Sequence, residues 1–191
     1  MVKICGLDEA GRGPLAGPVT AGCVLLPPGF PLEVLGDSKA LSARRREAAF
    51  ALIQQQAVWG LGWCDHLEID TINILQASLL AMRRAYDDLR VRFPDAVIGE
   101  AIVDGLHCPA LPVPCTALVK ADALVPAVSA ASILAKVARD RFMDQAGRDD
   151  PRYGFEVHKG YPTLAHRQAL VQFGPSPLHR ASFAWKRPPR A

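Results

Sequence analysis

Four acids stand where apolar runs of this chain give out: Asp8 and Glu9 after residues 2–7, Asp104 after 101–103, and Asp122 after 113–119. Neighbouring strand residues point to opposite faces, so Asp8 and Glu9 can share one site only where their strand ends. On that segment alone, a charged turn with both side chains in water is an equal reading. The downstream acids shift the balance, because open α/β sheets place ligands at strand ends. Carboxylates brought together repel unless cations sit between them, and all-oxygen donors suit hard divalent ions such as Mg²⁺ or Mn²⁺. Two such ions can activate a water and stabilise the leaving oxygen of an in-line phosphoryl displacement. Glu47, Asp87, Asp88 and Asp144 fall on helical stretches and read as solvated faces.

Features suited to phosphate accompany these acids. Consecutive N–H groups around Gly11-Arg12-Gly13 can form an anion-binding concavity that glycine lets a ligand approach closely. In the alanine-rich stretch after Asp122, Ser129, Ser132 and Lys136 fall within an arc of about 60° on helical geometry. Ala127, Ala130, Ala131, Leu134, Ala138 and Phe142 take the other side. Such a stripe is more often a wet face, but it begins beside a candidate metal ligand, which favours phosphate contact. Asp37-Ser38-Lys39 is similarly placed before a helix start, though alone it is a commonplace turn. Pro162 biases Tyr161 toward an extended backbone that projects the ring outward, where it could stack on a sugar or base. A ring lying over the core edge is the competing reading.

The elements that must carry these residues follow from patterning. Strands are expected at 3–7, 19–26, 58–64, 101–105 and 113–119, bounded by glycine and proline. Because Gly11 to Gly17 leads into a strand and not a helix, it does not fit the dinucleotide-binding fingerprint. Ser42 can cap a helix over 43–56, with Phe50, Ile53 and Ala57 on one face. A longer helix is expected over 71–90, with Asp70 as N-cap and Leu75, Leu79, Met82 and Tyr86 toward the core. Pro126 opens a helix to about 146, and a last helix covers 163–173.

With 191 residues, 50% of them hydrophobic, the chain can bury a real core and reads as one globular domain, 1–191. The net charge of +3 permits a nucleic acid partner without demanding one. Five cysteines, with no C-x-x-C pair, fit neither a disulfide framework nor a structural zinc site. His107-Cys108 has no partner pair at metal spacing. No signal peptide or membrane span is evident, so a cytoplasmic location is expected.

Taken in order, GLDEAGRGPLAGPV, DSKALS, IDTINILQASLLAM, IVDG, KADALVPAVSAASILAKVARD, YGFEVHKGYPTLAHRQAL and GPSPLHRASF make the chain resemble ribonuclease HII across nearly its full length. The resemblance implies an α/β ribonuclease H-like fold, with a mixed central β-sheet flanked by helices and a C-terminal helical extension from about residue 150. It carries a catalytic, metal-binding tetrad onto Asp8, Glu9, Asp104 and Asp122, served by Mg²⁺ or Mn²⁺ in a two-metal mechanism. It carries recognition of the ribose 2′-hydroxyl onto Gly11, Arg12 and Gly13, and sugar stacking onto Tyr161. Lys39, Ser129 and Lys136 would face backbone phosphates. The implied partners are RNA–DNA hybrids and DNA duplexes containing ribonucleotides, with the chain acting as a monomer.

Two alternatives belong beside it: a hybrid nuclease of the same fold that needs a run of ribonucleotides, as in ribonuclease HIII, and a non-catalytic hybrid-binding module. The first carries lysine between the glycines where this chain has Arg12, and the second should have lost an acid of the tetrad. Ala121 departs from the glycine more usual before the fourth acid, and Ser129 from a common alanine. No residue pattern in the C-terminal tail establishes a sliding-clamp contact.

Overall fold

The computed structural model describes residues 3–35 and 41–185. Its strands are β1 (Ile4–Ala10), β2 (Val19–Leu25), β3 (Val58–Cys64), β4 (Glu100–Asp104) and β5 (Cys115–Leu118). Its helices are α1 (Ala43–Gln56), α2 (His66–Arg92), α3 (Ala121–Leu124), α4 (Pro126–Asp149), α5 (Phe155–His158) and α6 (Leu164–Phe173). The strands form one mixed sheet in the order β3-β2-β1-β4-β5, as expected for a ribonuclease H-like fold. β1 runs antiparallel to β2 and parallel to β4, with Leu7 opposite Val103. That register sets Asp8 beside Asp104, the last residue of β4, so the two emerge together. β1 itself does not stop at residue 7 as expected: it runs through Asp8 and Glu9 to Ala10, paired with β2, and only its ladder to β4 ends at Leu7.

Alternation along β1 sorts the layers. Cys5 and Leu7 turn toward α2 and join a core with Ala77, Ala81, Met82, Ala85 and Leu89. Gly6 and Asp8 turn toward α4. A Cβ on Gly6 would collide with the main chain of Ala127 and Val128, and one on Gly22 with that of Ala131. The missing side chains let the backbone of α4 lie directly on β1 and β2. Ile133, Leu134 and Val137 of α4 then pack with Phe50 and Ile53 of α1 and Val24 of β2. Each such side chain, fully buried, contributes about 1.5–3 kcal/mol. This packing fixes the height at which the polar residues of α4 meet the ends of β1 and β4.

Ser42 caps α1 as expected, its side chain accepting from the Arg45 amide at 3.3 Å. The start of α2 differs from expectation. Asp65, not Asp70, is its N-cap and forms a capping box with Glu68. The helix then breaks at Asn73 (φ 67°), whose side chain accepts from the amides of Leu75 and Gln76 and restarts it. Asp70 is free for a distant task and accepts from the amides of Ala181 and Ser182 at 2.8 and 2.9 Å. A local reading finds a helix-start acid but has no view of a partner 111 residues away.

Asp122 also differs. β5 stops at Leu118, Lys120 adopts a left-handed conformation (φ 60°), and Asp122 falls in the first turn of α3 instead of at a strand end. α4 continues to Asp149, beyond the expected end, and the one-turn helix α5 carries no periodicity long enough to anticipate. Cys5, Cys23 and Cys64 are buried, and all five cysteines are free thiols. Among the described residues no helix is long and apolar enough to cross a membrane.

Candidate active site

The end of β1 opens into a cavity of about 330 Å³ lined by Asp8, Glu9, Gly11, Arg12, Gly13, Asp104, Ser132, Lys136 and Tyr161. Three of the four expected acids therefore meet the glycine–arginine turn, the basic end of the α4 stripe and the tyrosine. Asp122 lines a neighbouring cavity with Leu35, Val125 and Ser129. It is linked to the first through the chain: Asp104 Oδ1 accepts from the amide of Ala121, the residue before Asp122, at 2.8 Å. Among the described residues no three acids, histidines or cysteines are grouped about a single point as metal ligands.

Electrostatics set Asp8 and Glu9 apart. Asp8 is 6% exposed. Burial, then the charges of Glu9 and Asp104, push its carboxyl from 3.8 to about 8, against hydrogen bonds from Ser132 and the Glu9 amide. Burial also raises Glu9, offset in part by Arg12, whose Nη1 lies 3.2 Å from Glu9 Oε1. Hard oxygen donors that cannot all ionise together fit a divalent cation, which would supply the missing positive charge.

The glycine–arginine turn is held by steric exclusion and by buried arginines. Gly11 has φ +100°, and a Cβ there would land on Arg139 Nε. Arg139 in turn donates to the carbonyls of Pro18 (2.9 Å), Ala16 (3.1 Å) and Lys159 (2.9 Å). Through Lys159 it ties this turn to the loop that carries Tyr161, and Leu15 N adds a bond to Gly160 O at 2.8 Å. Tyr161 is 43% exposed, and a Cβ on Gly13 would sit 3.6 Å from Tyr161 Cε1. The ring thus lies against the glycine turn with part of its surface open to solvent. His166 Nδ1 meets the Tyr161 carbonyl at 2.9 Å and fixes that backbone from below.

Lys136 reaches the cavity and donates to Asp140 Oδ1 at 2.6 Å. The serines of its stripe are not a wet face: Ser129 is 7% and Ser132 6% exposed. Ser132 faces Asp8, whereas the Ser129 hydroxyl donates to Leu35 O at 3.0 Å beside the neighbouring cavity. Lys39 lies outside the described residues. Sequence reasoning did not single out Arg139 or Arg180. Both are buried arginines whose partners are main-chain carbonyls remote in sequence, and no local motif signals that.

A family model described as ribonuclease HII matches residues 5–186. Ribonuclease HII of Polynucleobacter asymbioticus is 52% identical over 185 residues, covering 96% of this chain and 94% of that one. Ribonuclease HII of Nitrosococcus oceani is 54% identical, covering 95% and 88%. The crystal structure of ribonuclease H2 from Pyrococcus horikoshii superposes with a TM-score of 0.73 at 26% identity, covering 95% of this chain and 94% of that one. The chain belongs to the ribonuclease HII family and is a type 2 ribonuclease H, a hydrolase with endonuclease activity.

Proposed function

We propose that this ribonuclease HII cleaves the RNA strand of RNA–DNA hybrids and also incises duplex DNA at a single embedded ribonucleotide, leaving 5′-phosphate and 3′-hydroxyl ends. The observation that carries this reading is the meeting of Asp8, Glu9 and Asp104 with Gly11, Arg12, Gly13 and Tyr161 in one cavity. A site that reads one 2′-hydroxyl needs no run of ribonucleotides, since that group alone separates RNA from DNA at a given sugar.

In this reading Asp8, Glu9, Asp104 and Asp122 hold Mg²⁺ or Mn²⁺. When bound there, such ions would supply an activated water and positive charge against the phosphate. The amides and guanidinium of the Gly11-Arg12-Gly13 turn hold the 2′-hydroxyl and fix which phosphate lies against the acids. Tyr161, already exposed above Gly13, stacks on the adjoining deoxyribose and aligns the strand. Lys136 contacts backbone phosphates that position the duplex without reading it, and Lys39 and Ser129 are assigned the same role. The chain acts as a single unit, 1–191, on nucleic acid and as a monomer.

The test is a DNA duplex with one ribonucleotide. Cleavage is expected on its 5′ side, and replacing the 2′-OH with hydrogen or O-methyl should stop it. Robust cutting of long hybrids with none at the single ribonucleotide would overturn the proposal while leaving the chain a ribonuclease H.

A further inference from the structure

We propose that Arg180 is the positioning residue that sets the Gly11-Arg12-Gly13 turn for the 2′-hydroxyl by gripping the turn's carbonyl oxygens; this rests on the function proposed above. Arg180 is 3% exposed. Its Nη2 donates to Gly11 O at 2.6 Å and to Gly17 O at 2.8 Å, its Nη1 to Arg12 O at 3.0 Å, and its Nε to Gly17 O at 3.0 Å. One planar fork therefore holds the Gly11 and Arg12 carbonyls of the turn and the Gly17 carbonyl farther along the chain.

Peptide planarity turns that grip into an orientation. In a trans peptide the N–H points opposite to the C=O. Drawing Gly11 O onto Arg180 directs the Arg12 amide away from it, and drawing Arg12 O does the same for the Gly13 amide. Among the described residues neither amide has a main-chain acceptor. Both residues line the cavity that holds the acids. The donors offered to a sugar hydroxyl are thus aimed from behind, by a residue 169 positions from Gly11.

Arg180 is itself braced. Its amide donates to Leu15 O at 2.8 Å, and Gly17 N donates to Leu178 O at 2.9 Å. Asp70 accepts from the two following amides, and His179 bridges to Ala16. Arg139, by contrast, takes carbonyls of Ala16, Pro18 and Lys159, all outside the gripped turn. Lysine cannot substitute for Arg180, because one ammonium lacks the rigid fork that spans these oxygens.

The experiment compares dissociation constants, in EDTA, for a DNA duplex with one ribonucleotide and for the same duplex without it. The parent protein should prefer the ribonucleotide. Arg180→Lys and Arg180→Gln should each cut that preference about tenfold, because small misplacement of a positioned donor is costly. Affinity for the all-DNA duplex should stay within about twofold, since phosphate contacts carry it. Leu170→Ala, a core truncation in the same C-terminal layer, serves as a control that lowers the Tm and keeps the preference. Hydrogen exchange on the parent protein gives a second measurement that needs no variant: the ribonucleotide duplex should slow the Arg12 and Gly13 amides, and the all-DNA duplex should not. Folded Arg180 variants that keep the parental preference, or parental amides indifferent to the ribonucleotide, would overturn the inference. A parent with no preference at all would instead refute the reading of the 2′-hydroxyl, and the inference with it.

Discussion

Asp8→Asn should make the metal-free protein more stable while destroying its activity. The Asp8 carboxyl lies at about 8 in the fold against an ordinary 3.8, chiefly through burial. An acid raised by folding binds its proton more tightly in the native than in the unfolded chain. Its stabilising contribution is therefore greatest below about 4 and is lost as pH rises toward about 8. At pH 7 the unfolded chain has released the proton and the folded one has kept it, which costs folding about 4 kcal/mol. The amide keeps the shape and the hydrogen-bonding edge toward Ser132 but has nothing to ionise. Allowing for relaxation around the site, a gain of about 2–4 kcal/mol is expected, or roughly 5–15 °C in Tm for a chain of this size. The assay is thermal melting in EDTA from pH 4 to pH 8.5 for both proteins. The difference between their curves should grow with pH, and Glu9, raised by its own burial and by Asp104, remains in both. Excess Mg²⁺ should then raise the Tm of the parent more than that of the variant. An Asp8→Asn protein that melts at or below the parent at pH 7–8, or a difference with no pH slope, would refute the reasoning.

Asp104→Asn should abolish cleavage with the fold intact, because an amide oxygen can still accept from Ala121 N while the charge is gone; duplex binding measured by anisotropy should survive better than turnover. Tyr161→Ala should lower cleavage at a single ribonucleotide about tenfold or more, in line with the loss of one stacking contact, and barely move the Tm of a side chain this exposed. A fall in Tm with specific activity retained would return Tyr161 to a packing role. Arg12→Lys should weaken cleavage at the single ribonucleotide, since the planar fork that meets Glu9 is lost; unchanged kcat/KM would remove Arg12 from recognition.

Much of this was legible locally, and what was not has a common physical cause. The β1 acids were readable because an apolar run ending in paired carboxylates marks a strand and a polar site beside it. The terminus was misread: β1 continues through both acids to Ala10 because β2 goes on pairing with it after the ladder to β4 has ended. Ser42 and Pro126 were readable because caps and first-turn prolines act within a few residues. Asp104 could be nominated from its strand, but its place beside Asp8 depends on the parallel register of β1 and β4, which is set by the crossover between them. Asp70 was misread because its helical context is real while its carboxylate serves Ala181 and Ser182. Asp122 was misplaced by one left-handed residue, Lys120, where no glycine announces the turn.

The residues that hold the site are more hidden than those that line it. Gly11 looks in sequence like a flexible joint, yet the space a side chain would need is filled by Arg139. A glycine turn free in solution would sample many orientations and lose most of its value as a hydroxyl receptor. Here the entropy is removed by Arg180, whose guanidinium satisfies the Gly11 and Arg12 carbonyls from behind and leaves the opposite edges of those peptides for ligand, while Arg139 fills the space beside Gly11. Burying two cations this way is costly, and desolvation pulls Arg139 down to about 10 and Arg180 to about 9. Across the same turn the acids carry the opposite cost, with Asp8 pushed up to about 8. Neither group is placed where stability alone would put it. The strain is tolerated because the α2 and α4 layers contribute apolar burial that does not depend on the site, so the sheet can present an acid cluster on one side of a turn and fix that turn from the other.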